Sequence, residues 1–393
     1  VTANEAGASN NIVASGLRGT NPADATGINH TTAYTIYGGL ADSAVNGSTT
    51  INLVNSQITV NATAGEATAN ENTVKLGSNN TFKENDNEVV EGSIIGSAFG
   101  GKAISSAKST ITNSGTDNKI TSNATASDVI ADKNNLLIGN ANPEEDGSDN
   151  SFHEAVVGGV ALSYANPNEG NANNIAGNAR AGNASTNHNQ VVIHGNDNQF
   201  NGHENSSAIG NIGVSVAGGY AHSVAKNNGS NKATSGNTFS NDNTLYINGS
   251  NNQFIQEVIG GWAISEASGQ NVVTSAGIAS ASNNTVIAFT AEGANRNQFS
   301  EDILGGLAET AGTNGKAIAD TNTVNLTRSK VDGDIYGGHA LTHETAETNG
   351  NKVVLNETKV GGSIWGGFAS SKDGHSILAQ SSTANSNVIK VSD

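Results

Sequence analysis

The sequence predicts an all-β fold: a parallel β-helix, a solenoid with three short strands per turn. Three observations carry this. First, a six-residue signature of apolar, any residue, Gly, Gly, any residue, Ala recurs eight times: Ile36 to Ala41, Ala98 to Ala103, Val156 to Ala161, Val216 to Ala221, Val258 to Ala263, Ile303 to Ala308, Ile335 to Ala340 and Ile364 to Ala369. A fixed motif at a loose period marks a stacked repeat. Second, each signature is followed by a short β-favouring run that opens with Asn, as in Asn72-Thr73-Val74-Lys75-Leu76, Asn189 to Ile193, Asn243 to Ile247, Asn284 to Phe289, Asn322 to Leu326 and Asn351 to Leu355. Third, no sustained helical spacing of apolar residues occurs.

The chain reads as one domain, 1–393, with residues 1–35 as N-terminal capping rungs and 36–393 as eight repeat units. The first glycines stand at 38, 100, 158, 218, 260, 305, 337 and 366, so the repeats shorten toward the C-terminus. A third element precedes the double glycine by six residues at Phe152, Phe254, Phe299, Val331 and Val360. Phe82 and Phe200 lie eighteen residues ahead of theirs, which implies an extra piece near Lys83 to Ile94 and Asn201 to Ile212. Asn and Gly at the corners suit left-handed backbone angles. Asn side chains at equivalent corners are expected to form ladders from rung to rung. At a rise of ~4.8 Å per rung, eight rungs make a rod on the order of 40 Å.

The residues two before the double glycine are Ile36, Ala98, Val156, Val216, Val258, Ile303, Ile335 and Ile364, a mostly β-branched column expected to face inward. The residues just after it are Leu40, Lys102, Val160, Tyr220, Trp262, Leu307, His339 and Phe368. Burying an unpaired Lys is costly, so this column is expected to be exposed. Strict alternation would put both columns on one face; the double glycine should therefore be a corner or bulge that shifts the phase and turns the following Ala inward. The inserts between that Ala and the Asn run all leave from the same point and are expected to project from one edge. The longest, Asp42 to Glu71, carries strand-like runs of its own at Thr50 to Val54 and Gln57 to Val60.

Net charge is −17, with no Lys/Arg cluster in the sequence. That disfavours nucleic acid, anionic lipid and sulfated glycans as main partners. The absence of Cys excludes disulfides and thiolate chemistry, and suits a chain that crosses an oxidising compartment unfolded. A chain starting at Val1 reads as a processed form or a fragment. No serine-hydrolase elbow, His-Glu-x-x-His motif or P-loop occurs. His188, His194 and His203 form the closest histidine group and read as loop residues, so no metal or cofactor is expected. The acidic runs Glu84 to Glu88 and Glu144 to Asp149 match no calcium motif and read as solvated turns. Polysaccharide-cleaving β-helix enzymes need carboxylates and a base converging in one groove, and the four Arg of this chain (Arg18, Arg180, Arg296, Arg328) align with no Asp column. The reading is non-enzymatic. The candidate binding residues are the aromatic set around the double glycine: Tyr220, Trp262, Tyr336, His339, Trp365 and Phe368. Exposed aromatics suit sugar rings or protein anchors; equally, such a column stacks on itself to hold neighbouring rungs.

The signature Ile335 to Ala340 after Asn322-Thr323-Val324-Asn325-Leu326, and Ile364 to Ala369 after Asn351 to Leu355, resemble the repeats of type V autotransporter passenger domains of Gram-negative bacteria. The resemblance covers nearly the whole chain from Ile36. It implies a right-handed β-helix, export through a C-terminal β-barrel that this sequence lacks, and display at the cell surface as an adhesin. The implied partner is a host glycan or protein, or another copy of the chain in bacterial aggregation and biofilm.

Overall fold

The computed structural model describes residues 2–14, 31–84, 96–114, 118–139, 147–167, 176–202, 212–227, 230–269, 272–370 and 381–392. These contain no helix, and every strand pairing is parallel: sheet after sheet, each strand stacks on the equivalent strand of the next rung. The predicted solenoid is what the chain forms.

A rung has four strands, one more than predicted, and five in the longer repeats. In the rung that starts at Val156–Asn166, the chain passes through Ala176–Arg180, Ala184–Ser185, Gln190–His194 and Gln199–Phe200 before Val214–Asn227 opens the next. The corresponding sheets are called here the signature sheet (nine strands), the fin sheet (five), the bridging sheet (nine), the Asn sheet (nine) and the Phe sheet (eight). The bridging strand is two or three residues long, Ala-rich and nearly featureless in sequence, which is why it went unread. Residues 2–14 and 31–33 form the lowest rung, with Ala6–Gly7, Ile12–Val13 and Thr32–Ala33 pairing to Ala67–Thr68, Thr73–Leu76 and Thr81–Phe82.

The inserts do leave from one point, but in the first five rungs they are not loose loops. The signature strand runs on, to sixteen residues in Ala98–Asn113, turns, and returns as a fin strand. Gln57–Thr63 is the returning strand of the longest insert. The two sheets of this fin close on an alanine seam: Ala107, Ala165 and Ala225 against Ala62, Ala124, Ala179 and Ala233.

The core is a set of one-residue columns. Phe82, Phe152, Phe200, Phe254 and Phe299 stack with centroids 4.7–4.9 Å apart and planes within 8°. The predicted column of Phe and Val is therefore real, and Phe82 and Phe200 belong to it. The extra pieces after them fall mostly at 85–95 and 203–211, outside the described residues, as do Asn85 to Glu88, Glu144 to Asp146 and His203.

The ladder Asn column runs through Asn11, Asn72, Asn134, Asn189, Asn243, Asn284, Asn322, Asn351 and Asn387. Each Oδ1 accepts both the backbone N–H and the side-chain amide of the Asn one rung earlier, at 2.8–3.2 Å. A second ladder joins Asn80, Asn150, Asn198, Asn252 and Asn297. The left-handed residue is not the ladder Asn but the one before it: Glu71, Lys133, His188, Asp242, Asn283 and Thr321 all have φ of 56–58°. For β-branched Thr321 this is a strained conformation, held between Asn322 of the ladder and Asp320, whose N–H donates to Ser282 Oγ at 3.2 Å.

The double glycine faces this ladder. A Cβ on Gly158 would come within 2.4 Å of the Gly218 carbonyl oxygen, and one on Gly159 within 2.5 Å of the Asn189 amide. The same contacts recur at Gly100 and Gly101 with Asn134, and at Gly218 and Gly219 with Asn243. Double glycine and Asn are thus two halves of one device. As predicted, the phase shifts there: Val156 points into the main core, Val157 and Val160 outward, and Ala161 inward against Ala184 and its neighbours.

Candidate functional site

The aromatic residues singled out above lie on the outer face of the signature sheet. One outward column is Tyr37, Phe99, Val157, Ala217, Ile259, Leu304, Tyr336 and Trp365; the next is Leu40, Lys102, Val160, Tyr220, Trp262, Leu307, His339 and Phe368. The second column was expected to be exposed. It points outward, as a phase shift requires, but through most of its length it is covered. Leu40 is exposed, whereas Val160 is fully buried and Lys102, Tyr220 and Leu307 are nearly so. These side chains form a second apolar cluster with Ala155, Leu162, Tyr164, Ile212 and Val214 packed among them.

Lys102 misled the prediction because aromatic rings replace part of its water. Its Nζ lies 5.3 Å from the Tyr37 ring centroid and 5.2 Å from that of Phe99. Burial still pulls its pKa down to about 8, against a smaller opposing effect of Asp42.

The six predicted residues fall into two groups on this face, separated by Leu307. Tyr220 and Trp262 meet edge to face at 5.1 Å. Tyr220 is buried, and its hydroxyl pairs with His222 Nδ1 at 2.8 Å. Burial, then Glu309 and Glu266, raise its pKa. Trp262 Nε1 donates to Glu309 Oε1 at 2.9 Å. Tyr220 is thus a packing residue with no open face, which the sequence could not distinguish from a platform.

The second group sits at the C-terminal end of the sheet. Tyr336 stacks on His339 (4.8 Å, 15°) and lies nearly parallel to Trp365 (6.5 Å, 7°). Phe368 meets Trp365 and His339 edge-on at 5.2 and 5.0 Å. Trp365 is 40% exposed and Phe368 partly so. Tyr336 donates to Asp334 Oδ2 at 2.9 Å. Burial and that carboxylate raise the Tyr336 pKa, while the Ser363 N–H and then the Tyr336 hydroxyl lower that of Asp334. His339 is pushed down to about 4 by burial, so it is neutral at pH 7. The result is an apolar, partly open aromatic group with an acceptor carboxylate at its edge.

Next to it, Glu257, Asp302 and Asp334 occupy equivalent corners of successive rungs. Burial raises the pKa of Glu257 and of Asp302. Among the described residues no three His, Asp or Glu side chains are placed to share a metal ion. His188 lies 3.9 Å from Asp242, and His194 packs edge-on to Tyr246.

A further surface was not read from the sequence. The outer face of the fin sheet shows Gln57 and Lys119; Thr59 and Thr121; Asn61, Asn123, Asn178 and Lys232; and Thr63, Thr125, Arg180 and Thr234, each group one column. Among the described residues it carries three cations and no carboxylate. A shallow cavity of about 390 Å³ opens on it between Asn61, Thr63, Asn123, Thr125, Asn178 and Arg180. Lys119, Arg180 and Lys232 are more than fifty residues apart in sequence, so only the rung register reveals the cluster.

No protein-family model matches the chain, and no curated protein and no solved structure is similar to it.

Proposed function

We propose that this chain is the passenger region of a Gram-negative surface adhesin: a non-enzymatic rod that presents its outer columns to host glycans or proteins. On this reading it is tethered at the cell surface through a C-terminal β-barrel lying beyond this sequence. The observation that carries it is the contrast between inner and outer columns. Inside, the same Asn, double glycine and Phe or Val recur rung after rung. Outside, equivalent positions hold residues as different as Lys102, Val160, Tyr220, His339 and Phe368. Such a scaffold keeps its stability separate from its surface chemistry, as stacked-repeat binding proteins do. The exposed Trp365 and the partly exposed Phe368 with the Asp334 acceptor offer a stacking platform of the kind that sugar rings and protein anchors use. A polysaccharide-cleaving enzyme is less well supported, because the corner carboxylates and the fin-face cations lie on different faces among the described residues.

The test is attachment of beads coated with the purified chain to a panel of epithelial cells. Binding that falls at least fivefold in Trp365→Ala supports adhesion through this group; cell attachment no greater than that of uncoated beads refutes the adhesin reading. Association between copies is the second reading, favoured by the ordered Asn and Thr columns of the fin face. Sedimentation velocity across a wide concentration range decides it: a monomer throughout excludes it.

A further inference from the structure

We propose that the outer face of the fin sheet binds a carboxylate-bearing oligosaccharide, with Arg180 and Lys232 holding the carboxylate. The proposal rests on the adhesin reading for its biological meaning but not for its physical test.

Three observations converge. The first is electrostatic. In a chain of net charge −17, this face carries, among the described residues, Lys119, Arg180 and Lys232 and no acid. All three are exposed, and among the described residues none of them makes an ion pair or side-chain hydrogen bond. At the corner beyond this face, Asp128 accepts the Asn183 N–H at 2.7 Å and its side-chain amide at 3.2 Å. Several other cations are ion-paired: Arg328 with Glu357 at 2.8 Å, Lys316 with Glu347 at 2.9 Å, Lys330 with Asp332 at 2.9 Å.

The second is the cavity. Its floor and walls are Asn and Thr side chains with Arg180 at one end. The amides are pre-ordered, since Asn123 Nδ2 donates to Asn61 Oδ1 at 3.0 Å and Asn178 Nδ2 to Asn123 Oδ1 at 3.3 Å. Ordered amides and hydroxyls that retain further donor and acceptor capacity match the hydroxyl-rich edge of a sugar. An unpaired guanidinium provides the planar fork that a carboxylate fills with two hydrogen bonds.

The third is spacing. Arg180 and Lys232 are one rung and two residues apart, which puts their Cα atoms ~8 Å from each other and lets both reach one carboxylate. Lys232 continues the Asn column, so the ligand would lie along the stack, across the strands. A strongly charged polymer is disfavoured: the −17 field of the whole chain opposes it, and only two cations converge. One carboxylate on an otherwise neutral sugar chain fits both limits.

Isothermal titration of the purified chain with 3′-sialyllactose and with glucuronyl-xylobiose, each a neutral sugar chain bearing one carboxylate, tests this, with lactose as the neutral control. The expected result is saturable binding of at least one acidic sugar and at least tenfold weaker binding of lactose. Arg180→Gln and Lys232→Gln should each weaken it at least fivefold with an unchanged melting temperature, whereas Lys352→Gln, on the Asn sheet, should leave it unchanged. Preference for sialyllactose or glucuronyl-xylobiose identifies which carboxylated sugar is the better ligand. The proposal is overturned if neither sugar binds, if lactose binds equally well, if Arg180→Gln binds as the parent does, or if a sulfated heparin disaccharide binds more tightly than both. Failure here would leave bead attachment through Trp365 untouched, and failure of bead attachment would leave this titration readable.

Discussion

Replacing Asn243 with Ala should destabilise the solenoid by about 2–6 kcal/mol, although the side chain touches no candidate binding residue. Asn243 Oδ1 accepts from the Asn189 N–H at 2.9 Å and the Asn189 amide at 3.1 Å. Its own amide donates to Asn284 Oδ1 at 3.1 Å and Ser240 Oγ at 3.2 Å. The Asn243 backbone N–H still reaches Asn284 after truncation, so that acceptor stays occupied. The two Asn189 donors do not: both are buried and lose their acceptor. A buried donor left unsatisfied costs about 1–3 kcal/mol, and two give the range above. The control is Asn325→Ala on the outer face of the Asn sheet, where a surface change should stay within about 0.5 kcal/mol. Equilibrium urea unfolding followed by far-UV circular dichroism measures both, and tryptophan fluorescence, from Trp262 on the next signature strand and Trp365 farther along the stack, tests whether the rungs melt together. If Asn243→Ala loses no more than Asn325→Ala, the ladder is decoration and the account of the Asn–Gly-Gly device is wrong.

Gly158→Ala should lower the melting temperature sharply, because the new Cβ would meet the Gly218 carbonyl oxygen at 2.4 Å and backbone cannot swing aside as a side chain can. Phe200→Ala, in the middle of the ring stack, should cost about 3–5 kcal/mol in urea unfolding and reduce the near-ultraviolet dichroism of the stacked rings. His339, neutral in the fold down to about pH 4 but titrating near 6.5 when unfolded, leaves the unfolded state binding more protons between those values; stability should therefore fall as pH drops from 6.5 to 4, and His339→Phe should flatten that slope in thermal melts. Lys102 gives the same sign in a higher window: the unfolded chain holds the proton longer between pH 8 and 10.5, so stability should rise with pH across that range, and Lys102→Met should remove the rise and match or exceed the parent at pH 7.

The parts of the fold that were legible in the sequence are those that repeat identically. The inward Ile/Val column, the Asn ladder, the Phe column and the phase shift at the double glycine each rest on the same residue recurring at the same place. The bridging strands were not legible because two or three residues such as Ala184–Ser185 have no pattern of their own; stacking defines them. The fin was half legible: Gln57 to Val60 reads as a strand, but that it stacks on Lys119–Thr125 depends on register across some sixty residues. The aromatic set was legible as a column on one face. Its division into a buried Tyr220 and an open Trp365 was not, because the chemistry of a side chain does not say what packs over it. Lys102 shows the same limit from the other side: a rule that holds for an unpaired buried charge fails where two rings take the place of water.

The fin face follows from the same logic of stacking. In a solenoid, residues that act together are seldom close in sequence; they are close when counted in rungs. Arg180 and Lys232 stand 52 positions apart in the sequence and ~8 Å apart on the fin. A cluster assembled this way leaves no local charge run, so a chain can be acidic overall, lack any basic motif, and still offer one basic groove. It also constrains the ligand. Two cations on adjacent rungs, beside amides already locked by their own ladder, select a single carboxylate presented along the stack and give little purchase to a polyanion. A one-residue shift in the register of Ser230–Thr234 would move Lys232 to the inner face of the fin without altering any residue of the groove. Specificity at this surface is therefore set by strand register, the same quantity that sets the fold.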